Sequence, residues 1–280
     1  MFKNYITLTR PFTLVLPIIA FISAGIIAIK SINMQLLLGG LAIAFLNAAS
    51  NELNQIFDIN IDKINKPNRP LPSKKISLKN AFLSCLLLYI ISLLISYFIN
   101  SRLFIIFIII TIFTITYSAP PFRFKRIPWI SNLNIAIPRG LIIIVAGWAS
   151  VKPITFEPIF IGLIYTIYLF GAQSTKDFSD IKGDKKYNII TLPILYGKTK
   201  TISIMIPFLT LPFLLIPIGI SQGILTGNPL VLLITTTISL ILGIRTSIIL
   251  RKNTKSKASW IYMYYTLFIT NLGFAIAYVV

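Results

Sequence analysis

The sequence predicts an all-α, polytopic membrane protein with nine transmembrane helices. Apolar blocks of about 20 residues, the length that crosses a bilayer as a helix, recur along the 280 residues. Hydrophobic residues make up 56% of the chain and the mean hydropathy is +0.84, values that exclude an ordinary soluble domain. The basic residues are concentrated in alternate loops between these blocks, which is typical of a chain inserted into a membrane.

The apolar blocks define nine predicted spans, which together form a single membrane domain over residues 1–280. The first block is not a cleaved signal peptide, because it lacks a small-residue cleavage site and leads directly into further spans. In chain order, the predicted spans are residues 11–29, 35–56, 81–99, 103–119, 128–149, 155–175, 202–220, 229–248 and 260–279.

Basic residues test this topology independently of hydropathy, because cytoplasmic loops carry an excess of Lys and Arg. The segment before the first span holds Lys3 and Arg10, and most other basic residues lie in the loops after spans two, four, six and eight. The last of these loops contains Arg251, Lys252, Lys255 and Lys257. The remaining loops hold only Lys30, Arg102 and Lys152. We therefore expect a multi-pass protein of the cell membrane with its amino terminus in the cytoplasm.

The composition also narrows the chemistry. The net charge of +19 indicates topology and attraction to anionic membrane lipid rather than nucleic-acid binding, because the basic residues are dispersed over five loops. The chain contains no histidine, which excludes zinc–histidine sites, Ser-His-Asp triads and imidazole bases. Its one cysteine, Cys85, lies inside an apolar segment and is interpreted as a packing residue, so no disulfide framework is available.

A first acidic motif lies within Asn51–Ser73, NELNQIFDINIDKINKPNRPLPS, at the end of span two. Asn54, Asp58 and Asp62 are four residues apart, so on a continuous helix their side chains would share one face. Two carboxylates at that spacing repel each other, and charge next to an apolar span is costly, so we expect a cation between them. Glu52 is interpreted as a helix-surface residue beside this motif.

A second acidic motif follows span six, in the stretch KDFSDIKGDKKYNIITLP. Asp177, Asp180 and Asp184 share one helical face if the helix continues through Gly183. Glu157 is the one acidic residue outside the two motifs. Both motifs lie on the cytoplasmic side of the predicted topology, so in a closed helical bundle they can face one another.

Paired carboxylates favour Mg²⁺, which is normally shared between one or two carboxylates, water and substrate phosphates. Soft metals and metals that prefer imidazole have no suitable ligands here. Arg10, Arg69 and Lys176 lie near the two motifs and are of the type that holds a multiply charged phosphate. Arg139 lies inside span five, where the cost of a buried charge predicts a position facing a cavity. A diphosphate with an apolar tail fits such a site.

These motifs resemble the UbiA superfamily of intramembrane prenyltransferases. The resemblance is carried by Asn54-x3-Asp58-x3-Asp62 with INKPNRPLPS, by KDFSDIKGDKKYNIITLP, and by the linking YSAPPFRFKR, and it extends over essentially the whole chain. It implies a nine-helix bundle around a central cavity and two Mg²⁺ ions. It further implies transfer of a prenyl group from a polyprenyl diphosphate to a lipophilic acceptor.

The resemblance also implies roles for individual residues. The implied metal ligands are Asn54, Asp58 and Asp62 for the first ion, and Asp177, Asp180 and Asp184 for the second. The implied catalytic aspartates are Asp58, Asp62, Asp180 and Asp184, and the candidate substrate-binding residues are Asn54, Arg69, Lys176, Arg10 and Arg139. Two positions depart from the family pattern, because Gln55 and Lys182 stand where many relatives have acidic residues.

The acceptor is less strongly indicated than the donor. YSAPPFRFKR and PRGLIIIVAGW are similar to members that prenylate aromatic or other ring-bearing acceptors of the homogentisate, hydroxybenzoate or chlorophyll type, and such an acceptor is the preferred expectation. RPLPS and KDFSDIKGD are also similar to digeranylgeranylglyceryl phosphate synthases, which form ether lipids. A membrane transporter or lipid-binding protein is an alternative of another class, but it would require acidic residues near the bilayer midplane.

Overall fold

The computed structural model is helical apart from short connections, and its described residues, 2–254 and 257–280, contain no strand. Within that part of the chain, nine helical segments are long and apolar enough to span a membrane, which confirms the predicted fold class. These segments are Phe12–Ile29, Met34–Phe57, Leu78–Ile99, Ser101–Ser118, Pro128–Ala149, Phe156–Thr175, Lys198–Ser221, Pro229–Lys252 and Ala258–Val279. Lys255 of the predicted eighth loop lies outside the described residues.

The spans and the segments that carry the acidic motifs are built from α-helices with a few tighter or wider turns. The helices of the described residues are α1 (Phe2–Thr9), α2 (Phe12–Ile29), α3 (Met34–Phe57), α4 (Ile59–Asn65), α5 (Leu78–Ile99), α6 (Ser101–Ser118), α7 (Pro128–Ile137), α8 (Ile143–Ala149), α9 (Phe156–Ala172), α10 (Asp177–Lys186), α11 (Leu192–Thr210), α12 (Leu215–Ser221), α13 (Pro229–Lys252) and α14 (Lys257–Val279). A π turn at Pro138–Ile142 joins α7 to α8, and 3-10 turns cover Phe124–Arg126, Gln173–Thr175 and Leu211–Leu214.

Polar side chains begin several of these helices. Asn33, Ser77 and Asn100 each accept a hydrogen bond from a backbone N–H in the first turn of α3, α5 and α6, at 3.0, 3.2 and 2.9 Å. Such caps satisfy N–H groups that have no partner inside the helix. These three helices can therefore begin at the edge of the apolar region with a partner for a backbone N–H group of the first turn.

Apolar side chains cover the outside of the bundle as well as its core. Large exposed residues on the outer helices include Leu87 and Leu94 of α5, Ile105 and Ile112 of α6, and Ile241 of α13. A surface of this kind would be unstable in water and matches a lipid environment, in which backbone polar groups are satisfied inside the helices. The charged residues of both acidic motifs are instead placed at one end of the bundle.

Close helix packing at the centre depends on small residues. A Cβ atom on Gly147 of α8 would lie 2.1 Å from the carbonyl oxygen of Phe21 and 2.9 Å from the Cβ of Ala24, both on α2. Membrane helices lack a hydrophobic force that drives them together, so packing of this closeness is a main source of their association. Helix α8 also continues the segment that carries Arg139, so its position against α2 helps to place that residue.

The first acidic motif is not on one continuous helix, contrary to the sequence prediction. Helix α3 ends at Phe57, Asp58 adopts φ −103° and ψ 7°, and α4 begins at Ile59. The break is small, since the Asp58 N–H still donates to Asn54 O at 3.0 Å. The second motif does lie on one helix, because α10 continues through Gly183.

The interpretation of Glu52 as a surface residue is wrong. Its side chain is 0% exposed on the face of α3 that packs against α5, and it accepts a hydrogen bond from Ser84 Oγ at 3.2 Å. Sequence position placed it beside the motif, but the rotation of α3 turns it away from the cavity that the motif lines.

Gly147→Ala is expected to lower the unfolding temperature of the protein in detergent, because the new methyl group would meet the rigid backbone of α2. Overpacking of this kind costs about 1–3 kcal/mol. Gly40→Ala is the matched control, since a Cβ there would meet side-chain atoms alone, namely Cδ1 and Cγ1 of Ile22 at 3.1 and 3.2 Å and Cγ2 of Ile18 at 3.6 Å. Equal unfolding temperatures for the two variants would contradict the proposed role of the α2–α8 contact.

Candidate active site

The carboxylate of Asp58 lies at the junction of α3 and α4 and is held by basic side chains from a distant loop. Lys125 contacts its Oδ1 atom, and Arg123 Nη2 lies 3.2 Å from the same atom and 3.0 Å from the carbonyl oxygen of Phe57. Asn54 Nδ2 donates to the other oxygen at 3.0 Å. Lys125 is only 4% exposed, so this is a buried and charge-assisted arrangement.

The second carboxylate of the first motif is paired within its own segment. Arg69 Nη1 lies 2.7 Å from both carboxylate oxygens of Asp62, and Asp62 is 4% exposed. The turn that follows α4 brings Arg69 back over the helix, since its N–H donates to Lys66 O at 3.1 Å. The NRP segment that follows the motif therefore folds onto the motif itself.

The aspartates of α10 are close to one another and only partly neutralised. Lys66 of the first motif pairs with Asp180, which also accepts from Ser179 Oγ at 2.9 Å. Burial raises the pKa of Asp177 to about 6. Burial, followed by repulsion from Asp177 and Asp180, raises the pKa of Asp184 to about 7. A group of carboxylates with raised pKa values is a site that a cation would stabilise.

One amide fixes the second motif against the first. Asn65, the last residue of α4, donates from Nδ2 to Asp180 O at 3.0 Å and accepts from the Gly183 N–H at 2.9 Å. A Cβ on Gly183 would lie 2.5 Å from the Asn65 amide. A side chain at position 183 would therefore displace the Asn65 amide and break both of its hydrogen bonds to α10, which set the register between α4 and α10.

Arg10 presents unpaired donors to the same region. It lies between α1 and α2 in the left-handed conformation, with φ 54°. Its buried Nε and Nη2 atoms have no hydrogen-bond partner. Burial lowers the pKa of the guanidinium to about 10, and the nearby charge of Arg69 acts in the same direction. Buried donors of a charged group are normally satisfied, so the chemistry of this position fits an anionic ligand.

Three neighbouring cavities share lining residues at this end of the bundle. The acidic cavity is lined by the residues of both motifs, namely Asn54, Asp58, Asp62, Asp177, Asp180 and Asp184, together with Asn65, Arg69, Tyr117 and Lys125. The apolar channel lies beside it between α2, α3, α6 and α7, and takes its name from Ile43, Leu46, Ile110, Phe113 and Ile143, although polar residues such as Asn47, Asn51, Asn134 and Arg139 also line it. The side cavity, of about 620 Å³, lies between α2, α10 and α14. Arg10 and Lys176 border all three.

The structure thus brings nearly all of the predicted site residues to one cavity. Arg139 is the exception, because it borders the apolar channel and the side cavity but not the acidic cavity. Gln55 points away, donating to the Leu8 carbonyl oxygen at 2.6 Å, so the acidic residue that many relatives have there would not reach the cavity in this arrangement. Lys182 is exposed and is likewise outside it.

Sequence reasoning missed Lys66, Arg123, Lys125 and Asn65 as site residues. Arg123 and Lys125 lie in the YSAPPFRFKR segment, and their charges were accounted for by the topology of a cytoplasmic loop. Lys66 is likewise one of the basic residues of the loop after span two, and it pairs with Asp180. The resemblance of the YSAPPFRFKR segment to the family was the one signal that could have identified Arg123 and Lys125. The segment has no acidic residue, so it offered no metal ligand that would have drawn attention to it.

The donor atoms of the acidic cavity fit Mg²⁺. They are hard carboxylate and amide oxygens, the ligands that this ion prefers. Among the described residues, no three acidic side chains converge on one point, and Lys66, Arg69 and Lys125 pair with Asp180, Asp62 and Asp58. The same cavity therefore supplies both ligands for a cation and basic groups for an anion.

The sequence model of the UbiA prenyltransferase family matches residues 13–272. The chain belongs to this family. It is therefore a membrane prenyltransferase, and the alternative of a transporter is not supported.

Relatives within the family are mostly named for one reaction. The digeranylgeranylglyceryl phosphate synthase of Methanobrevibacter smithii is 30% identical over 268 residues, 93% of this chain and 92% of that protein. The enzyme of the same name from Methanococcus aeolicus is 39% identical over 228 residues, 79% and 78% of the two chains. The bacteriochlorophyll synthase 34 kDa chain of Chloroflexus aurantiacus is 32% identical over 198 residues, 69% and 64% of the two chains.

Solved structures agree with the fold. A structure described as that of a digeranylgeranylglyceryl phosphate synthase in membranes has a TM-score of 0.75 and 31% identity, and the match covers 99% of this chain and 98% of the other. A UbiA homolog from Archaeoglobus fulgidus bound to GPP and Mg²⁺ has a TM-score of 0.78 and 20% identity, with 99% of each chain covered. At that identity the second comparison supports the fold alone.

The expectation of an aromatic or ring-bearing acceptor is not supported by these relatives, and the ether-lipid alternative fits them better. The structure shows why the YSAPPFRFKR motif misled. Arg123 and Lys125 of this motif contact Asp58 at the acidic cavity. The motif is therefore part of the acidic end of the site and does not indicate the acceptor.

Asn65→Ala and Gly183→Ala are each expected to lower the prenyl-transfer rate about 10- to 100-fold, because small displacements of positioned groups have effects of that size. The double variant is expected to be no worse than either single variant, since both remove the same contact. Asn60→Ala is the matched control, as Asn60 is exposed on the same helix and bonds only to Lys63. Equal rates for Asn65→Ala and Asn60→Ala would contradict a positioning role.

Proposed function

We propose that this UbiA-family protein transfers a prenyl group from a prenyl diphosphate to the free hydroxyl of a prenylated glycerol phosphate, as a digeranylgeranylglyceryl phosphate synthase does. The proposal rests on one observation above all. Both acidic motifs, together with Arg10, Arg69, Lys125 and Lys176, line a single cavity that shares Arg10, Asn54, Tyr117 and Lys176 with the apolar channel. A diphosphate with an isoprenoid tail matches both the charge of the cavity and the apolar walls of the channel.

The donor diphosphate would lie in the acidic cavity between α4 and α10. Asn54, Asp58, Asp62, Asp177, Asp180 and Asp184 would hold Mg²⁺, and we propose two ions, one for each motif. Asp58, Asp62, Asp180 and Asp184 are the catalytic aspartates of this proposal. Arg10, Arg69 and Lys176 would donate to diphosphate oxygens, and the unpaired Nε and Nη2 atoms of Arg10 give this role its clearest support.

The reaction is an electrophilic alkylation. The bond between the prenyl C1 and the diphosphate oxygen breaks, and its electron pair leaves with the diphosphate. Bound Mg²⁺ would supply Lewis-acid stabilisation of that charge, and the basic side chains of the chain add electrostatic stabilisation at fixed positions. The acceptor oxygen then bonds to C1 and gives up its proton. No histidine is present to take it, so the base is an aspartate of the cavity or the released diphosphate.

The walls of the apolar channel protect the reacting carbon. Ile110, Phe113 and Ile143 line the channel below the acidic cavity, so they keep water from quenching an allylic cation. Tyr117 borders both spaces, and its ring lies 5.8 Å from the Lys176 Nζ atom. The C1 atom of a bound donor would lie near Tyr117, where the acidic cavity and the apolar channel adjoin.

Both motifs are proposed to face the cytoplasm. The concentration of Lys and Arg in the loops at the motif end of the bundle supports this orientation. Prenyl diphosphates are highly charged, so a site open to the cytoplasm would admit the diphosphate without moving it through the apolar layer.

Asp58→Asn and Asp184→Asn are each expected to reduce diphosphate release from geranylgeranyl diphosphate at least 100-fold, because each removes a charge that helps to hold the metal and leaving group. The assay is run in membranes with and without Mg²⁺. Glu157→Gln is the control, since Glu157 bonds to Thr226 and Tyr278 at the opposite end of the bundle. Magnesium-independent release, or unchanged release in both aspartate variants, would reject the proposed donor site.

An acceptor panel tests the second half of the proposal. With geranylgeranyl diphosphate as donor, geranylgeranylglyceryl phosphate is expected to give the fastest transfer, and homogentisate, hydroxybenzoate and a chlorophyllide are expected to give little or none. Product formation is measured by mass spectrometry after extraction. Faster transfer to a ring-bearing acceptor would overturn the ether-lipid assignment while leaving prenyl transfer intact.

A further inference from the structure

We propose that Arg139 binds the phosphate group of the acceptor lipid, at a site separate from that of the donor diphosphate. This inference rests on the proposed function and adds to it a residue that determines acceptor specificity. The acceptor class that Arg139 would select is an amphiphile with one phosphate, a short polar linker and an apolar chain.

The backbone around Arg139 is held firmly. The residue lies in the π turn at Pro138–Ile142, inside the fifth span. A Cβ on the next residue, Gly140, would lie 2.5 Å from the backbone nitrogen of Thr166, so the turn packs directly against the backbone of α9. Single π turns inside helices are frequent at functional sites, and this one fixes the start of the Arg139 side chain.

The guanidinium of Arg139 has little to hold it. Its one hydrogen bond is from Nη2 to Asn47 Oδ1, at 3.5 Å, and it belongs to none of the ion pairs found among the described residues. A charge inside a membrane span is costly and normally pairs with another group. An anionic ligand would supply the missing partner.

The position of Arg139 separates it from the donor diphosphate. It borders the apolar channel and the side cavity, whereas Asp58, Asp62, Asp180 and Asp184 line the acidic cavity that Arg139 does not reach. Arg10 and Lys176 border all three spaces and so mark the place where donor and acceptor would meet. The phosphate group bound by Arg139 would therefore lie in the side cavity.

The side cavity has the two surfaces that such a ligand needs. Lys66, Arg69, Arg139 and Lys176 are on its polar side, where its one carboxylate, Asp180, is already paired with Lys66. Phe12, Trp260 and Tyr264 form an aromatic wall on the other side, with ring centroids 4.6–5.2 Å apart. At about 620 Å³ the cavity falls in the size range of small-molecule sites.

The chemistry of the acceptor matches this geometry. Glycerol has three oxygens, and a product with two prenyl groups and one phosphate leaves the acceptor with one free hydroxyl within two carbons of the phosphate. A phosphate held by Arg139 would thus place the hydroxyl near the junction marked by Arg10 and Lys176. Arginine suits this task because its planar fork can donate two parallel hydrogen bonds to a phosphate.

Steady-state kinetics of Arg139→Gln test the inference, with Arg245→Gln as the matched control. Arg245 is the other arginine inside a predicted span, but it is exposed, lies 5.8 Å from the Tyr262 ring and borders none of the three cavities. Arg139→Gln is expected to raise KM for geranylgeranylglyceryl phosphate at least 10-fold and to change KM for geranylgeranyl diphosphate less than 2-fold. An unchanged acceptor KM, or an equal rise in both KM values, would overturn the inference.

A binding experiment separates this inference from the proposed function. Trp260 lines the side cavity, so its fluorescence is followed while the protein is titrated with geranylgeranylglyceryl phosphate, with the same lipid lacking phosphate, and with inorganic phosphate. Wild type is expected to bind the phosphate-bearing lipid at least 10-fold more tightly than the lipid without phosphate, and Arg139→Gln is expected to bind the two equally. Saturation by inorganic phosphate alone at the same concentration would contradict a lipid headgroup site.

The two failures are then distinct. If wild type binds the phosphate-bearing lipid through Arg139 but does not prenylate it, the proposed function falls and the phosphate site stands. If wild type prenylates the lipid and Arg139→Gln keeps full phosphate preference, the inference falls alone. If Arg139→Gln does not fold, Arg139→Lys replaces it, since lysine keeps the charge but cannot donate two parallel hydrogen bonds. The preference of this variant for the phosphate-bearing lipid is expected to be several-fold weaker than that of wild type. An unchanged preference would contradict the assignment.

Discussion

The structure depends on bringing like-charged carboxylates together at one end of an apolar bundle. Asp58, Asp62 and Asp180 are each paired with a basic side chain. The Lys66–Asp180 pair joins α4 to α10, and so neutralises charge and connects the two motifs at once. Without these pairs, repulsion would keep the motifs apart. The basic side chains of the cavity therefore offset the repulsion between its carboxylates.

The surrounding fold supplies rigidity where the charged groups need it. Asn65 fixes the register of α10, and Gly183 permits the close approach that this contact requires. Further down, the π turn at Pro138–Ile142 is fixed against α9. Close backbone packing thus fixes the helices that carry these polar side chains. Electrostatic catalysis depends on charged and polar groups that are held in place before the reaction.

Sequence predicted the span count, the two motifs and their convergence, because hydropathy, charge asymmetry and four-residue spacing are local signals. The sites of Lys66, Lys125 and Asn65 could not be predicted in the same way. A lysine in a cytoplasmic loop is already explained by topology, so its burial beside Asp58 or Asp180 adds no visible signal. The break at Asp58 and the burial of Glu52 depend on how α3 rotates against α5, and that rotation is set by tertiary packing.

The proposed function requires both motifs to bind one metal–diphosphate complex in the acidic cavity. Crystals grown with Mn²⁺ and a geranylgeranyl thiolodiphosphate, which resists cleavage, would test it most directly through anomalous scattering. Manganese peaks are expected to be bonded to Asp58 or Asp62 on one side and to Asp180 or Asp184 on the other, with the diphosphate between them. A diphosphate bound without manganese, or manganese bound at only one motif away from the diphosphate, would contradict it.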